Sequence, residues 1–140
     1  MTETELARQL KPLGSQSDFD AGADALMDAW TEAGVGMESV EPVLRFMEEH
    51  PSLDLGSPGP LVHFVEKFYG RSYVELLAES LGRKPTSLTV WMLNRVVNGT
   101  RGKDERRRLT ALMDQASRHP HADELARAQA HEFLERLSEM

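Results

Sequence analysis

Three features of the chain predict an all-α fold of six or seven helices, packed as stacked antiparallel hairpins. Apolar residues recur at spacings of three and four along most of the 140 residues, and the alternation typical of strands is nearly absent. Capping residues, glycines and prolines divide this pattern into short segments. The links are short, which makes sequential helices antiparallel neighbours. Within this class the sequence leaves a HEAT-like array of helical hairpins and an irregular α-bundle open.

The first half of the chain begins with a weak segment and continues with two clearer helices. Residues 1–16 carry Leu6, Leu10 and Leu13, which predict a short helix with weaker order than the rest. A helix over 17–33 begins at Ser17 as N-cap. Its predicted stripe is Phe19, Ala23, Leu26, Trp30 and Ala33. A helix over 38–49 follows, with Pro42 in its first turn and an apolar face of Val40, Val43, Leu44 and Met47.

The middle of the chain predicts three more helices. Ser57 as cap and Pro58 as first helical residue predict a third strong helix, whose buried face is Leu61, Phe64, Val65 and Phe68. A capping box of Ser72 and Glu75 predicts a helix over 72–81, with core residues Tyr73, Leu76, Leu77 and Leu81. Thr86 caps a helix over 86–98 that is apolar on most of its circumference, which indicates a central position.

Two helices complete the pattern. One runs over 103–118 and is predicted to bury Leu109, Leu112, Met113 and Ala116. The other runs over 120–138 and is predicted to bury Ala122, Leu125, Ala126, Ala130, Phe133 and Leu137. The expected hairpins pair 17–33 with 38–49, 61–69 with 72–81, and 86–98 with 103–118. Their starts lie about 25 to 40 residues apart, within the range of two-helix repeats.

Composition excludes several classes of protein. The length predicts one domain over residues 1–140. No cysteine is present, which excludes a disulfide scaffold, a thiolate zinc site and a cysteine nucleophile. The acidic start, Met1–Glu5, does not resemble a secretory signal, and no apolar stretch is long enough to cross a membrane. We therefore expect a soluble cytoplasmic protein without a membrane partner.

Signatures of catalysis are weak, so we expect no enzyme, no catalytic residues, no cofactor and no metal. Gly99–Lys103 lacks the spacing of a phosphate-binding loop and follows no strand. His119-Pro120-His121 fits a turn before an acidic first helical turn, with a surface metal site as the alternative. A third hypothesis is a small enzyme or ligand binder that uses His63, Glu66 and Tyr73 in a cleft between helices.

The charge distribution indicates a basic protein partner. Residues 1–60 hold 12 acids and three bases, whereas residues 61–140 hold 11 acids and 13 bases. Asp20, Asp24, Asp28 and Glu32 step by four along one helix, so they form a column that a basic partner can dock against. Glu48, Glu49 and Asp54 extend these partner-binding candidates. The acidic balance disfavours nucleic acid; the basic run Arg106-Arg107-Arg108 fits a solvated face, with phosphate binding as the alternative.

Three segments resemble a known family. They are Leu53–Glu66, Tyr73–Leu77 and Pro85–Arg95, and they lie within the stretch from Leu53 to Gly99, which covers about a third of the chain. Their most distinctive pieces are GPLVHF and PTSLTVWMLNR. In these the chain is similar to small all-helical immunity proteins of bacterial polymorphic toxin systems, in which a cognate inhibitor binds a toxin domain and blocks it.

The resemblance implies a protein-binding inhibitor that neutralises a cognate bacterial toxin, and it assigns no individual site residue. The charge sign and the expected helical surface agree with that function. The alternative is a helical scaffold or regulatory adaptor that binds a peptide or a helix of another protein. An inhibitor is expected to bind one partner tightly and with a salt-dependent association rate, whereas an adaptor is expected to bind short segments weakly. The oligomeric state stays open.

Overall fold

The computed structural model describes residues 1–56 and 58–139, and in these residues the chain forms eight α-helices, two short 3-10 helices and no β-strand. The α-helices are α1 (Glu3–Leu10), α2 (Phe19–Glu32), α3 (Val40–Glu49), α4 (Pro60–Glu66), α5 (Arg71–Arg83), α6 (Ser87–Gly99), α7 (Lys103–Ser117) and α8 (Glu124–Ser138). The 3-10 helices are Lys11–Ser15 and Met37–Ser39. The all-α prediction is confirmed. The count exceeds six or seven because the N-terminal segment forms a helix of its own, α1.

The chain divides into two compact units. Unit 1 comprises Met1–Leu76 and unit 2 comprises Leu77–Met140, so the boundary falls within α5. Among the described residues, no helix combines the length and the apolar character needed to cross a membrane.

The core of unit 1 is built around Trp30, which is fully buried. Its ring packs edge to face against Phe64 at 5.6 Å, and its Nε1 donates a hydrogen bond of 2.6 Å to Oε1 of Gln9. These contacts join α2 to α4 and to α1, while α1 itself packs against α3. The predicted pair of 17–33 with 38–49 is not among the main helix contacts of unit 1, where helices two apart in sequence pack together instead.

The loop before α4 corrects the predicted helix start. α4 begins at Pro60 rather than Pro58, and Gly59 precedes it with a φ of 90°. A Cβ on Gly59 would collide with the carbonyl oxygen of Leu55, so this approach requires glycine. The predicted cap Ser57 lies outside the described residues.

Unit 2 is organised around α6, as its apolar circumference predicted. α6 contacts both α7 and α8, and α7 packs against α8. The predicted segments 86–98 and 103–118 correspond to α6 and α7, and these two helices are in contact. Thr86 caps α6: its side chain accepts from the backbone N–H of Thr89, while Oγ1 of Thr89 accepts from that of Thr86 at 2.9 Å.

Side chains of unit 2 bind the carbonyl groups that are left free where helices end. Arg106 donates from Nη1 to the carbonyl oxygen of Val97 at 2.8 Å. His119 Nδ1 accepts from the backbone N–H of His121 at 3.0 Å, so Nε2 carries the proton and donates to the carbonyl oxygen of Gly82 at 2.8 Å. These bonds tie the end of α6 to α7 and the end of α5 to the loop between α7 and α8.

Two helix starts and several buried positions differ from the sequence prediction. α5 begins at Arg71, because the carbonyl oxygen of Gly70 accepts from Val74 N–H at 3.0 Å, so Ser72 is not its cap. α8 begins after Asp123, whose side chain accepts from Ala126 N–H at 2.8 Å. Leu125 was predicted to be buried and is 56% exposed. Leu26 and Ala33 of the α2 segment are not in the core either, and Met27 is buried instead.

Candidate functional site

Four carboxylates form one exposed column along α2, as their spacing predicted. Asp20, Asp24, Asp28 and Glu32 are all exposed. We refer to these four residues as the acidic column. At about 1.5 Å rise per residue the column extends over roughly 18 Å. Within the described residues, no basic side chain lies within ion-pair distance of any of the four, and α2 contains no base.

The acidic column opposes the stability of the helix that carries it. Each of its three steps places like charges at i and i+4, which destabilises a helix by about 0.2–0.5 kcal/mol per pair. Glu32 adds a negative charge at the last residue of α2, where the helix dipole favours a cation, and the last turn contains no base. Asp20, in the first turn, is the one member that the dipole favours.

The remaining acidic candidates do not form one surface with equal access. Glu48 is only 9% exposed, so its side chain is not presented to a partner, and it takes part in polar interactions within the protein. Asp54 is exposed, and its Oδ1 accepts from the backbone N–H of Gly56 at 3.0 Å, which shapes the loop before α4. Glu49 is exposed at the end of α3. Of the seven predicted partner-binding residues, Glu48 is thus the one that burial removes.

A groove that the sequence did not predict lies between α1 and α3. Its volume is about 380 Å³. The residues that line it are Thr4, Ala7, Arg8, Leu10, Lys11, Pro42, Arg45, Phe46 and Glu49. Leu10, Pro42 and Phe46 are buried and form an apolar floor, whereas Arg8, Lys11 and Arg45 are exposed at the rim. We refer to this site as the basic groove.

The bases of the basic groove are the only three among residues 1–60. The sequence shows that bases are rare in this region, but it does not show that α1 and α3 bring them together. Nε of Arg45 donates to Glu41 at 2.9 Å. Arg8 and Lys11 have no acidic side chain within ion-pair distance in the part of the chain that the structure describes.

A second, more open depression in unit 1 has a volume of about 460 Å³. It is lined by Glu3, Met37, Glu38, Arg71, Ser72, Glu75 and Leu76. Hydrogen bonds from its own backbone N–H and from that of Gly36 lower the pKa of Glu38, and the bond from Gly36 is 2.8 Å long. This carboxylate therefore has a structural task, because it holds the turn that leads from α2 into α3.

The basic run of α7 is engaged within unit 2. Arg106 holds the end of α6, as described above. Arg108 forms a salt bridge of 2.7 Å with Glu105, and Arg107 lies 4.0 Å from Asp104 while remaining 82% exposed. The acids one turn earlier on α7 thus face two of the three arginines, which is a common stabilising arrangement on exposed helices.

The three residues of the predicted cleft between helices, His63, Glu66 and Tyr73, differ in their exposure to solvent. His63 is exposed and Tyr73 is 1% exposed, with Glu66 between these extremes. The rings of His119 and His121 lie 5.6 Å apart, and both nitrogens of His119 are used in hydrogen bonds. Among residues 1–56 and 58–139, no three His, Asp or Glu side chains are grouped closely enough to hold a metal ion.

The charge asymmetry of the sequence follows the two structural units. Unit 1 contains 14 acids and five bases, a net charge of −9, whereas unit 2 contains nine acids and 11 bases, a net charge of +2. The acidic column and the basic groove both belong to unit 1. The net negative charge of the protein is therefore carried by unit 1.

Comparisons with protein-family models, with curated proteins and with solved structures gave no match.

Proposed function

We propose that the protein is a binding inhibitor that docks a basic protein partner against the acidic column of α2. The observation that carries this proposal is that the four carboxylates are exposed, follow one another in steps of four along α2, and have no basic side chain within ion-pair distance among the described residues. A helix face that serves only as a solvated surface is ordinarily stabilised by alternating charges. Here repulsion is retained along the whole helix, which is typical of a site where a local rule is broken for function.

The partner that fits this surface is a basic protein domain. A column of negative charge about 18 Å long attracts a positive surface over distances comparable to the Debye length. Such attraction raises the association rate and selects partners by charge sign. Together with the resemblance to immunity proteins, this supports a toxin domain as the partner and the cytoplasm of a bacterial cell as the place of action. The lack of cysteine agrees with a reducing compartment.

We propose helical hairpins for the packing of unit 2 and an irregular bundle for unit 1. In unit 2, the pairing of α6 with α7 and of α7 with α8 supports hairpins. In unit 1, the pairing of α1 with α3 and of α2 with α4 favours an irregular bundle. The acidic column needs neither arrangement in particular, since it lies on a single helix.

The test compares two variants that change the net charge equally. Asp20→Lys/Asp24→Lys/Asp28→Lys reverses the acidic column. Glu79→Lys/Glu135→Lys/Glu139→Lys reverses three exposed carboxylates of unit 2 that form no side-chain hydrogen bond or ion pair with the described residues. Each tagged protein is used to capture partners from the native cell at low salt, followed by a wash at high salt.

We expect the wild type and the unit 2 variant to retain one stoichiometric partner that high salt releases, and we expect the acidic-column variant to lose it. The purified partner is then assayed for toxic activity with and without the protein, because inhibition separates this function from that of an adaptor. Retention of the partner by the acidic-column variant would refute the proposed docking surface. Several weakly held partners, with no activity inhibited, would favour the adaptor.

A further inference from the structure

The basic groove stands out because it reverses the charge of the unit around it. Unit 1 has a net charge of −9 and five bases, and three of those five line this one groove. Glu49 is the only carboxylate among the lining residues. The groove thus carries a net positive charge on a strongly negative unit.

Two of the three bases are available for a ligand. Arg45 is held by Glu41, whereas Arg8 and Lys11 are exposed and have no acidic side chain within ion-pair distance among the described residues. They lie three residues apart where α1 ends, so they share one face of the chain. The dipole of α1 explains why bases are favoured at its end. It does not explain why a groove of about 380 Å³ lies between them and α3.

The floor supplies the second half of a binding site. Leu10 and Phe46 are 1% and 4% exposed, so with Pro42 they close the bottom of the groove, and the exposed Ala7 adds an apolar side chain to its wall. Phe46 is held in place by ring contacts with Phe19 at 6.3 Å and with His50 at 4.5 Å. The volume, about 380 Å³, lies within the range of small-molecule sites, about 300–1,000 Å³.

We propose that the basic groove binds a small carboxylic acid with an apolar body. The apolar body lies within the groove beside Ala7, above the buried floor, and the carboxylate accepts hydrogen bonds from Arg8 and Lys11. An apolar floor bounded by a few polar groups at defined positions is the usual composition of a small-molecule site, and the sign of those groups selects the ligand. This proposal is independent of the acidic column, which lies on a different helix.

The test uses octanoate as the probe, with 1-octanol and octylammonium as matched molecules that differ in the head group. Each is titrated into the ¹⁵N-labelled full chain, and the backbone amide signals are followed by NMR. We expect octanoate to shift signals from residues 4–11 and 43–49. We expect octanol to bind about tenfold more weakly, the loss that removal of about 1.4 kcal/mol of interaction produces. Octylammonium is expected not to bind.

Two variants with the same charge change locate the effect. Arg8→Gln/Lys11→Gln should weaken octanoate binding about tenfold. Arg101→Gln/Lys103→Gln removes one arginine and one lysine from exposed positions of unit 2 and should bind octanoate as the wild type does. Ala7→Glu adds a carboxylate at an exposed lining position of the groove and should also weaken binding.

Three results would overturn the proposal. The first is equal binding of octanoate and octanol, because it would remove the role of the bases. The second is an unchanged affinity of Arg8→Gln/Lys11→Gln. The third is a shift of the groove signals with protein concentration in the absence of octanoate, because the occupant would then be an acidic surface of a second copy of the chain.

Discussion

Replacement of Asp28 by lysine should stabilise the protein, although it changes only one exposed residue. Asp28 lies between Asp24 and Glu32 at i−4 and i+4, and none of the three has a basic side chain within ion-pair distance among the described residues. The change removes two repulsive pairs and creates two attractive ones, each about 0.2–0.5 kcal/mol. The free energy of unfolding should therefore rise by about 0.8–2 kcal/mol. That is a measurable fraction of the roughly 5–15 kcal/mol of an ordinary domain.

The assay is urea unfolding followed by circular dichroism, with Asp28→Glu as the control. Glutamate and lysine have similar helix propensities, and both exceed that of aspartate, so the difference between the two variants isolates charge. We expect the Lys variant to be more stable than the Glu variant at low salt. The difference should shrink at about 0.5 M NaCl, where the screening length is about 4 Å.

Equal stability of the Lys and Glu variants at low salt would refute the reasoning, because the carboxylates of the acidic column would then not repel one another. A difference that high salt does not reduce would have the same consequence. If the Lys variant is more stable and also loses the partner, the acidic column serves binding at a cost in stability.

Three further predictions concern single contacts. Arg106→Gln should lower the free energy of unfolding by about 1–3 kcal/mol, because carbonyl groups at the end of α6 lose a charged donor. The control, Arg107→Gln, should change the free energy of unfolding by less than about 0.5 kcal/mol. Equal effects of the two substitutions in urea unfolding would contradict this prediction. Gly59→Ala should destabilise by about 1–3 kcal/mol because of its positive φ. Gly82→Ala, in α5 with open space at its Cβ, should stabilise by about 0.5–1 kcal/mol, so unfolding midpoints of the two glycine variants that shift in the same direction would contradict one of these two predictions. Because the pKa of Glu38 is lowered in the folded protein, this carboxylate contributes stability at pH values above its ordinary pKa of 4.5, and the contribution is lost as the pH falls through the pKa of the folded state. The unfolding midpoints of the wild type and of Glu38→Gln should therefore converge in acid. A difference between the midpoints that persists in acid would contradict the role of this carboxylate.

Helix existence could be predicted from local sequence because it depends on residues three and four apart. α6 is the clearest example, since Thr86 is found as its cap and the residues from Val90 to Val97 provide its buried face. The four apolar residues predicted for the face of α3 are all buried, and Phe46, which the prediction omitted, is buried with them.

Helix starts were harder to predict, because a cap is defined by backbone geometry as well as by side-chain type. Ser72 and Glu75 match a capping box in sequence, yet Gly70 precedes the first turn of α5. The buried face of α8 is set by Ala126, Ala130 and Phe133, and Leu125 lies about 100° away from that face. The sequence pattern of α8 is compatible with a buried face that contains Leu125 and with one that does not. Packing against α6 and α7 selects the face without Leu125.

In the candidate site, too, features within one helix could be predicted from the sequence, and features that depend on packing between helices could not. The exposure of the acidic column followed from spacing within one helix. The burial of Glu48 and the existence of the basic groove did not, because both depend on how α3 packs. The bases Arg8 and Arg45 are far apart in the chain, and they line one groove because α1 packs against α3.

The two proposed sites of unit 1 have opposite charge, and this makes their electrostatic effects separable. Added salt should weaken binding of a basic partner to the acidic column, and it should also weaken octanoate binding at the basic groove. Reversal of the column makes unit 1 less negative, so it should leave octanoate binding unchanged or slightly stronger. Neutralisation of Arg8 and Lys11 makes unit 1 more negative, so it should leave binding of the basic partner unchanged or slightly faster. A loss of both activities in either variant would indicate that the two surfaces act as one site.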